Sequence, residues 1–199
     1  MTYNNWYLKN LNTEFTGVFI KPNLFDHNIC DSIFKSCITL PTSETTIVSR
    51  DGSLYKDDLV RKSEIRWIPT DKEHEWIYRT CTDIITAVNY EYFNYDLTYI
   101  EPLQFTKYDK NSFFKKHIDT LAHINQGMTR KISFSIQLSD SSDYSGCDLK
   151  LYNQENCINM PRNRGDSIFF NSNMLHEVTP IESGDRYSLI GWVNGPRFK

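Results

Sequence analysis

Phe113-Phe114-Lys115-Lys116-His117-Ile118-Asp119 has the mixture of aromatic and polar residues expected of a short β-strand. Residues two apart on a strand point to the same face, so His117 and Asp119 reach toward one point. An imidazole and a carboxylate so placed need one further imidazole to form the facial triad that leaves positions open on Fe(II). His176, in Asn173-Met174-Leu175-His176-Glu177-Val178, offers it from a distant strand. By itself a His-x-Asp tripeptide is common, and a lone histidine beside apolar residues is usually structural. Meaning comes from the ordered set and its neighbours.

Outward from this stretch, short runs of β-branched and aromatic residues cover 98–108, 113–119, 131–138, 148–152, 166–170, 176–181 and 186–193, with polar turns at 140–145 and 161–165. Regular short strands of this kind predict an antiparallel sandwich or barrel, with any helices packed on one sheet. Helical spacing appears earlier. Residues 26–38 carry Ile29, Ile33, Phe34 and Cys37, with Asp26 as N-cap, and residues 72–89 carry Trp76, Ile77, Cys81, Ile84, Ile85 and Val88. The fold class is therefore α+β. Between the helices, residues 42–62 are polar with an Asp51-Gly52 turn signal, and read as a hairpin tip or mobile lid in which Arg50, Asp51, Tyr55 and Lys56 would touch substrate.

Arg186 follows His176 by one strand, and Leu189, Ile190, Trp192 and Val193 make that strand look buried. A buried guanidinium requires an anionic partner, and its fork geometry suits a carboxylate deep in a barrel. Ser188, on the same face, adds a hydroxyl. Among alternative classes, a silent jelly-roll binding module has no use for such a clamp, nor has a cupin-like metal enzyme that works without a carboxylate co-substrate.

The 199 residues fit one domain, 1–199, with helical support mainly in 20–96 and the strand core mainly in 97–199; 39% are hydrophobic. A net charge of −3, with no basic stripe, argues against bulk nucleic-acid binding. The cysteines Cys30, Cys37, Cys81, Cys147 and Cys157 are odd in number and lack a C-x-x-C pair, which favours a reducing compartment. With no apolar signal core and no stretch near the roughly 20 apolar residues of a membrane span, a cytoplasmic location is expected.

The ordered set resembles the prolyl 4-hydroxylase family of 2-oxoglutarate- and Fe(II)-dependent dioxygenases. The resemblance runs through residues 108–119, through Arg130-Lys131-Ile132-Ser133-Phe134-Ser135-Ile136-Gln137-Leu138, and through Tyr144-Ser145-Gly146-Cys147-Asp148-Leu149. It continues in Arg164-Gly165-Asp166-Ser167-Ile168-Phe169-Phe170, His176-Glu177-Val178-Thr179-Pro180 and Arg186-Tyr187-Ser188. It implies a double-stranded β-helix (jelly-roll) core, iron on His117, Asp119 and His176, and the distal carboxylate of 2-oxoglutarate on Arg186. It also implies co-substrate contacts from Tyr108 and, on the inward strand, Gln137, places Trp192 close to the metal, and suggests ascorbate as a further cofactor.

Arg61 to Ile68, ending in Arg66-Trp67-Ile68, is similar to the strand after the substrate-covering loop of prolyl hydroxylases, making Arg66 and Trp67 candidate pocket residues and a peptide or protein substrate with a peptidyl proline the first choice. Related enzymes act on other amino-acid side chains or small molecules. Asp119 separates the chain from the related halogenases, which lack this carboxylate. Two positions depart from the family: Cys147 stands where a second glycine follows Gly146, and Asn111 where glycine is common.

Overall fold

The computed structural model describes residues 17–48, 54–120, 127–153 and 156–197. Strand β1 (Val18–Lys21) precedes helix α1 (His27–Cys37). A hairpin of β2 (Ile47–Val48) and β3 (Leu54–Tyr55) follows, then β4 (Arg61–Lys62) and β5 (Glu64–Trp67). Helix α2 (Glu75–Val88) runs on into a π-helical turn, Asn89–Phe93. The remainder is strand: β6 (Tyr99–Ile100), β7 (Gln104–Tyr108), β8 (Phe113–His117), β9 (Met128–Gln137), β10 (Tyr144–Gly146) and β11 (Leu149–Asn153). The last are β12 (Asn156–Asn159), β13 (Ser167–Asn171), β14 (Leu175–Val178), β15 (Ile181–Gly184) and β16 (Arg186–Pro196).

Both helices form where the apolar spacing places them. Asp26 caps α1 by accepting the Ile29 N–H at 2.8 Å, and Cys30, Ile33 and Cys37 are its buried stripe. Helix α2 begins at Glu75 and not at 72, because the Asp71 carboxylate accepts the His74 N–H at 3.0 Å and its ring Nδ1–H at 2.8 Å, which holds the preceding residues in a turn. Two expected strands are each split by a proline that has no N–H for the ladder: Pro102 separates β6 from β7, and Pro180 separates β14 from β15.

The large sheet has the order β1-β13-β9-β16-β7-β5, with β6 also on β16, and the smaller facing sheet the order β12-β11-β14-β8-β4. Alternation along β9 explains how one strand serves two layers. Ile132, Phe134 and Ile136 face the helices and join Ile33, Ile77, Cys81 and Leu189 in one core cluster, while Ser133, Ser135 and Gln137 turn the other way, into the barrel. A second cluster, including Tyr108, Leu149, Leu151, Ile168, Phe170 and Val178, fills the space between the sheets. The sheet is thus greasy toward the helices and polar toward the barrel, and a polar interior needs something to satisfy it.

Residues 42–62 carry β2, β3 and β4, and the antiparallel pairing of β2 with β3 is the hairpin that the polar stretch suggested. Of the residues expected to touch substrate there, Tyr55 and Lys56 are exposed, whereas Arg50 and Asp51 lie outside the described residues. Asn111 and Cys147 take the positive φ expected where glycine is common, at 66° and 55°. Gly146, at φ 66°, cannot be replaced freely, since a Cβ there would lie 2.5 Å from the Pro180 carbonyl oxygen.

Candidate metal and co-substrate site

His117 on β8 and His176 on β14 are direct cross-strand partners, with ring centroids 4.1 Å apart. Asp119 follows β8 and is fixed by its own N–H, which donates to the Ser172 carbonyl at 2.9 Å. The pairing brings the distant His176 to the point that His117 and Asp119 share. His117 Nε2 lies 3.7 Å from Asp119 Oδ1, His176 Nε2 lies 3.4 Å from Asp119 Oδ2, and the three ligating atoms all fall within 4.8 Å of one another.

The imidazole tautomers follow from what the other ring nitrogens touch. His117 Nδ1 is 2.7 Å from the Lys115 carbonyl oxygen and His176 Nδ1 is 2.9 Å from that of Met174; a carbonyl only accepts, so each Nδ1 carries the proton. Both Nε2 lone pairs then point inward. Ser133 Oγ donates to Asp119 Oδ2 at 2.7 Å, and the Phe114 ring stacks on His117 at 3.5 Å. Burial, reinforced by repulsion from His176, pushes the His117 imidazole down to about 3 against the attraction of Asp119. For Asp119 burial works upward, but His176, His117, Arg130 and the Ser133 hydroxyl outweigh it and hold the carboxyl at about 2. Two imidazoles and one carboxylate aimed at a common point are a donor set suited to Fe(II), so the residues fit the metal.

From the triad a narrow cavity of about 50 Å³ runs to Arg186, walled by Tyr108, Phe114, Leu149, Phe170, Val178, Ile190 and Trp192. Arg186 is 1% exposed, its Nε donates to Gln137 Oε1 at 3.1 Å, and the Tyr108 ring centroid is 5.4 Å from its guanidinium carbon. No carboxylate among the described residues pairs with it. The buried Ser135 Oγ, Ser188 Oγ, Tyr144 OH and Trp192 Nε1 have no hydrogen-bond partner. A buried guanidinium without a carboxylate partner, in a cavity whose wall also holds the unsatisfied Ser135 hydroxyl and Trp192 N–H, fits a dicarboxylate spanning from metal to arginine.

Of the residues expected from the sequence, His117, Asp119, His176, Tyr108, Arg186 and Trp192 line this one cavity. Ser188 faces it by register with Gln137 and is wholly buried, while Gln137 spends its amide oxygen on Arg186. Trp67 stands at the rim, 41% exposed, its ring 6.4 Å from that of Trp192. Arg66 departs from expectation: it is paired with Phe105 in register, so it faces the helices, where it bonds the Leu40 carbonyl at 2.9 Å and pairs with Glu64. Alternation, which turns neighbours to opposite faces, sends Trp67 one way and Arg66 the other.

Arg61 and Gln104 were missed. Both are buried in the cavity wall, with Arg61 Nη2 donating to Gln104 Oε1 at 2.8 Å. Arg61 sits in a polar stretch that gave no sign of burial; Gln104, as an inward i−4 position from Tyr108, could have been read from strand period alone.

One family model, that of the 2OG-Fe(II) oxygenase superfamily, matches just under half of the chain. Residues 103–194 match the model of that family, which bears out the resemblance seen in the motifs. A PKHD-type hydroxylase of Idiomarina loihiensis is 30% identical over 87 residues, 44% of this chain and 39% of that protein. The chain thus spans less than half the length of the curated relatives it matches. In structure it is similar to a Pseudomonas putida prolyl-4-hydroxylase, with TM-score 0.72 and 17% identity over 92% of this chain and 94% of that one. It is also similar to a Trichoplax adhaerens prolyl hydroxylase in complex with a hypoxia inducible factor oxygen degradation domain peptide fragment, with TM-score 0.71 and 21% identity over 89% and 83% of the chains. At these identities the structural likeness speaks for the fold.

Proposed function

We propose that this chain is a 2-oxoglutarate- and Fe(II)-dependent hydroxylase that acts on a peptidyl proline. The observation that carries the reading is the pairing of a His-Asp-His donor set with a buried, carboxylate-free Arg186 at the far end of the same cavity. When bound, iron and 2-oxoglutarate supply the oxidising power that places one oxygen atom of O₂ into a C–H bond, the other leaving in succinate as CO₂ is lost. His117, Asp119 and His176 would hold the metal from one side, and Ser133 keeps the Asp119 carboxylate turned toward it.

Arg186 would take the distal carboxylate, with Gln137 fixing the guanidinium and Ser188 adding a hydroxyl. Leu149, Phe170, Val178 and Ile190 keep water from the walls, and Trp67 and Trp192 form an apolar rim on which a prolyl ring could rest. A peptide substrate is supported by the peptide-bound Trichoplax relative. Ascorbate, as a reductant for the iron, belongs to the same proposal. No helix among the described residues is long and apolar enough to cross a membrane, and all five cysteines are free, which supports the cytoplasm as the site of action.

The test is incubation of candidate peptides with Fe(II), 2-oxoglutarate and O₂, followed by mass spectrometry for the gain of about 16 Da that one inserted oxygen gives. Succinate release without any added substrate is measured in parallel. If the protein neither binds 2-oxoglutarate in the presence of Mn(II) nor forms succinate, the oxygenase reading is wrong.

A further inference from the structure

Among the described residues, four partly exposed arginines are answered by carboxylates, whereas the two buried ones are not. Arg66 pairs with Glu64, Arg130 with Glu101, Arg162 with Asp148 and Arg164 with Asp31. Arg186 and Arg61 have no such partner among the described residues, and both line the same cavity. Arg61 is 8% exposed; its contacts are Ser63 Oγ at 3.1 Å, Gln104 Oε1 at 2.8 Å and the Phe114 ring, whose centroid is 4.7 Å away. All are neutral. Neutral acceptors offset only part of the cost of burying a full charge.

We propose that the substrate carries a carboxylate close to the carbon that is hydroxylated, and that Arg61 is the residue that binds it. This rests on the oxygenase reading, which assigns Arg186 to the co-substrate and leaves Arg61 over. Charge accounting points the same way. The ionised side chains lining the cavity are Arg61, Arg186 and Asp119, a surplus of one positive charge. A divalent metal and a dianionic co-substrate cancel and leave that surplus in place, and a single carboxylate would neutralise it. Arg61 is also well sited. Its strand pairs with β8 at Phe114, three residues from His117, so an anion on its guanidinium lies on the metal side of the cavity and not at the Arg186 end. Burial lowers the Arg61 pKa, with only Tyr108 and Asp119 pulling the other way, as expected of a cation short of counter-charge. An ordinary peptide carbonyl would supply a hydrogen bond but leave the charge uncompensated.

The carboxylate has two sources, the α-carboxylate of a free or C-terminal residue, or an acidic side chain next to the target. Isothermal titration separates them, using wild-type protein with Mn(II), saturating 2-oxoglutarate and no O₂. One pair of probes is N-acetyl-proline against N-acetyl-prolinamide; the other is acetyl-Pro-Glu-amide against acetyl-Pro-Gln-amide. The expected result is that one acid binds at least about tenfold more tightly than its neutral partner. Arg61→Gln, with 2-oxoglutarate again saturating, should erase the difference, and Arg61→Lys should keep part of it. Thermal melting reports whether each variant is folded, and the lysine variant retains the charge should glutamine fail to fold.

Acid and neutral probes that bind equally, or acids that do not bind at millimolar concentration, overturn the proposal, as does an acid preference that survives Arg61→Gln. If 2-oxoglutarate itself binds and is turned over to succinate in those cases, the oxygenase reading stands and only the carboxylate falls. Failure of 2-oxoglutarate to bind overturns both.

Discussion

Replacing Arg186 by methionine should damage co-substrate binding and strengthen the empty protein at the same time. The guanidinium is 1% exposed and has Gln137 Oε1 as its hydrogen-bond acceptor, with the Cys147 thiol and Tyr108 ring beside it and no carboxylate partner among the described residues. In the empty protein it is a buried charge without a counter-charge, and exchanging such ions for apolar side chains of similar volume is neutral or stabilises by about 1–4 kcal/mol. At roughly 2–4 °C per kcal/mol for a chain of this size, melting should rise by several degrees. Removing one partner of a buried, hydrogen-bonded charge pair costs about 3–5 kcal/mol, so affinity for 2-oxoglutarate should fall by roughly two to three and a half orders of magnitude. Titration of 2-oxoglutarate into Mn(II)-loaded protein measures the second effect, and melting of metal-free protein the first. Affinity within about threefold of wild type would remove Arg186 from the co-substrate site. A marked drop in the melting point of the empty variant would refute the charge argument, because it would mean that the guanidinium is already well satisfied by the fold.

Ser133→Ala removes the hydroxyl that turns Asp119 toward the metal, and metal affinity measured by Mn(II) titration should fall about 10–100-fold with the fold intact. Cys147→Gly relieves a non-glycine residue at φ 55°, a conformation costing roughly 1–2 kcal/mol; a melting point unchanged or lower would show that the thiol's packing and its contact with Arg186 outweigh that strain. Metal-free protein should lose stability as acidity rises from about pH 6.5 toward pH 3. His117 is pushed down from 6.5 to about 3, so the unfolded chain binds the extra proton in that window, and Asp119, held at about 2, adds a further loss below pH 4; melting in EDTA that is flat between pH 7 and 4 would contradict this. Shortening residues 49–58 should leave succinate release without substrate largely intact while lowering hydroxylation of a true substrate, and equal hydroxylation would show that the segment is no lid.

The strand periods made the barrel legible, since a run such as 131–138 alternates apolar and polar side chains whichever sheet it joins, whereas the breaks at Pro102 and Pro180 were read through. What period cannot convey is that both faces of β9 are buried. Ile132 and Ser133 are 0% and 1% exposed, and the serines lie inside only because β16 and β13 flank the strand and the small sheet closes over it. Read along the chain, those serines resemble a solvated face; in the barrel they become the hydrogen-bonding surface of a cavity, one of them holding Asp119.

The same difference separates the cavity-lining residues that the sequence raises from those it does not. His117, Asp119, His176 and Arg186 announce themselves by side-chain chemistry that a core seldom tolerates, so an ordered motif is enough to raise them. Arg66 and Arg61 are both arginines in one short stretch, and nothing local distinguishes them: the first lies beside Phe105 with Glu64 for a partner, and the second is drawn into the cavity because its strand is stitched to β8 at Phe114. Register between strands distant in sequence decides which of the two guanidiniums meets a carboxylate and which is buried in the cavity wall without one. That is tertiary information, and it is why the residue on which substrate preference is proposed to turn became visible only when counter-charges were counted around each buried cation.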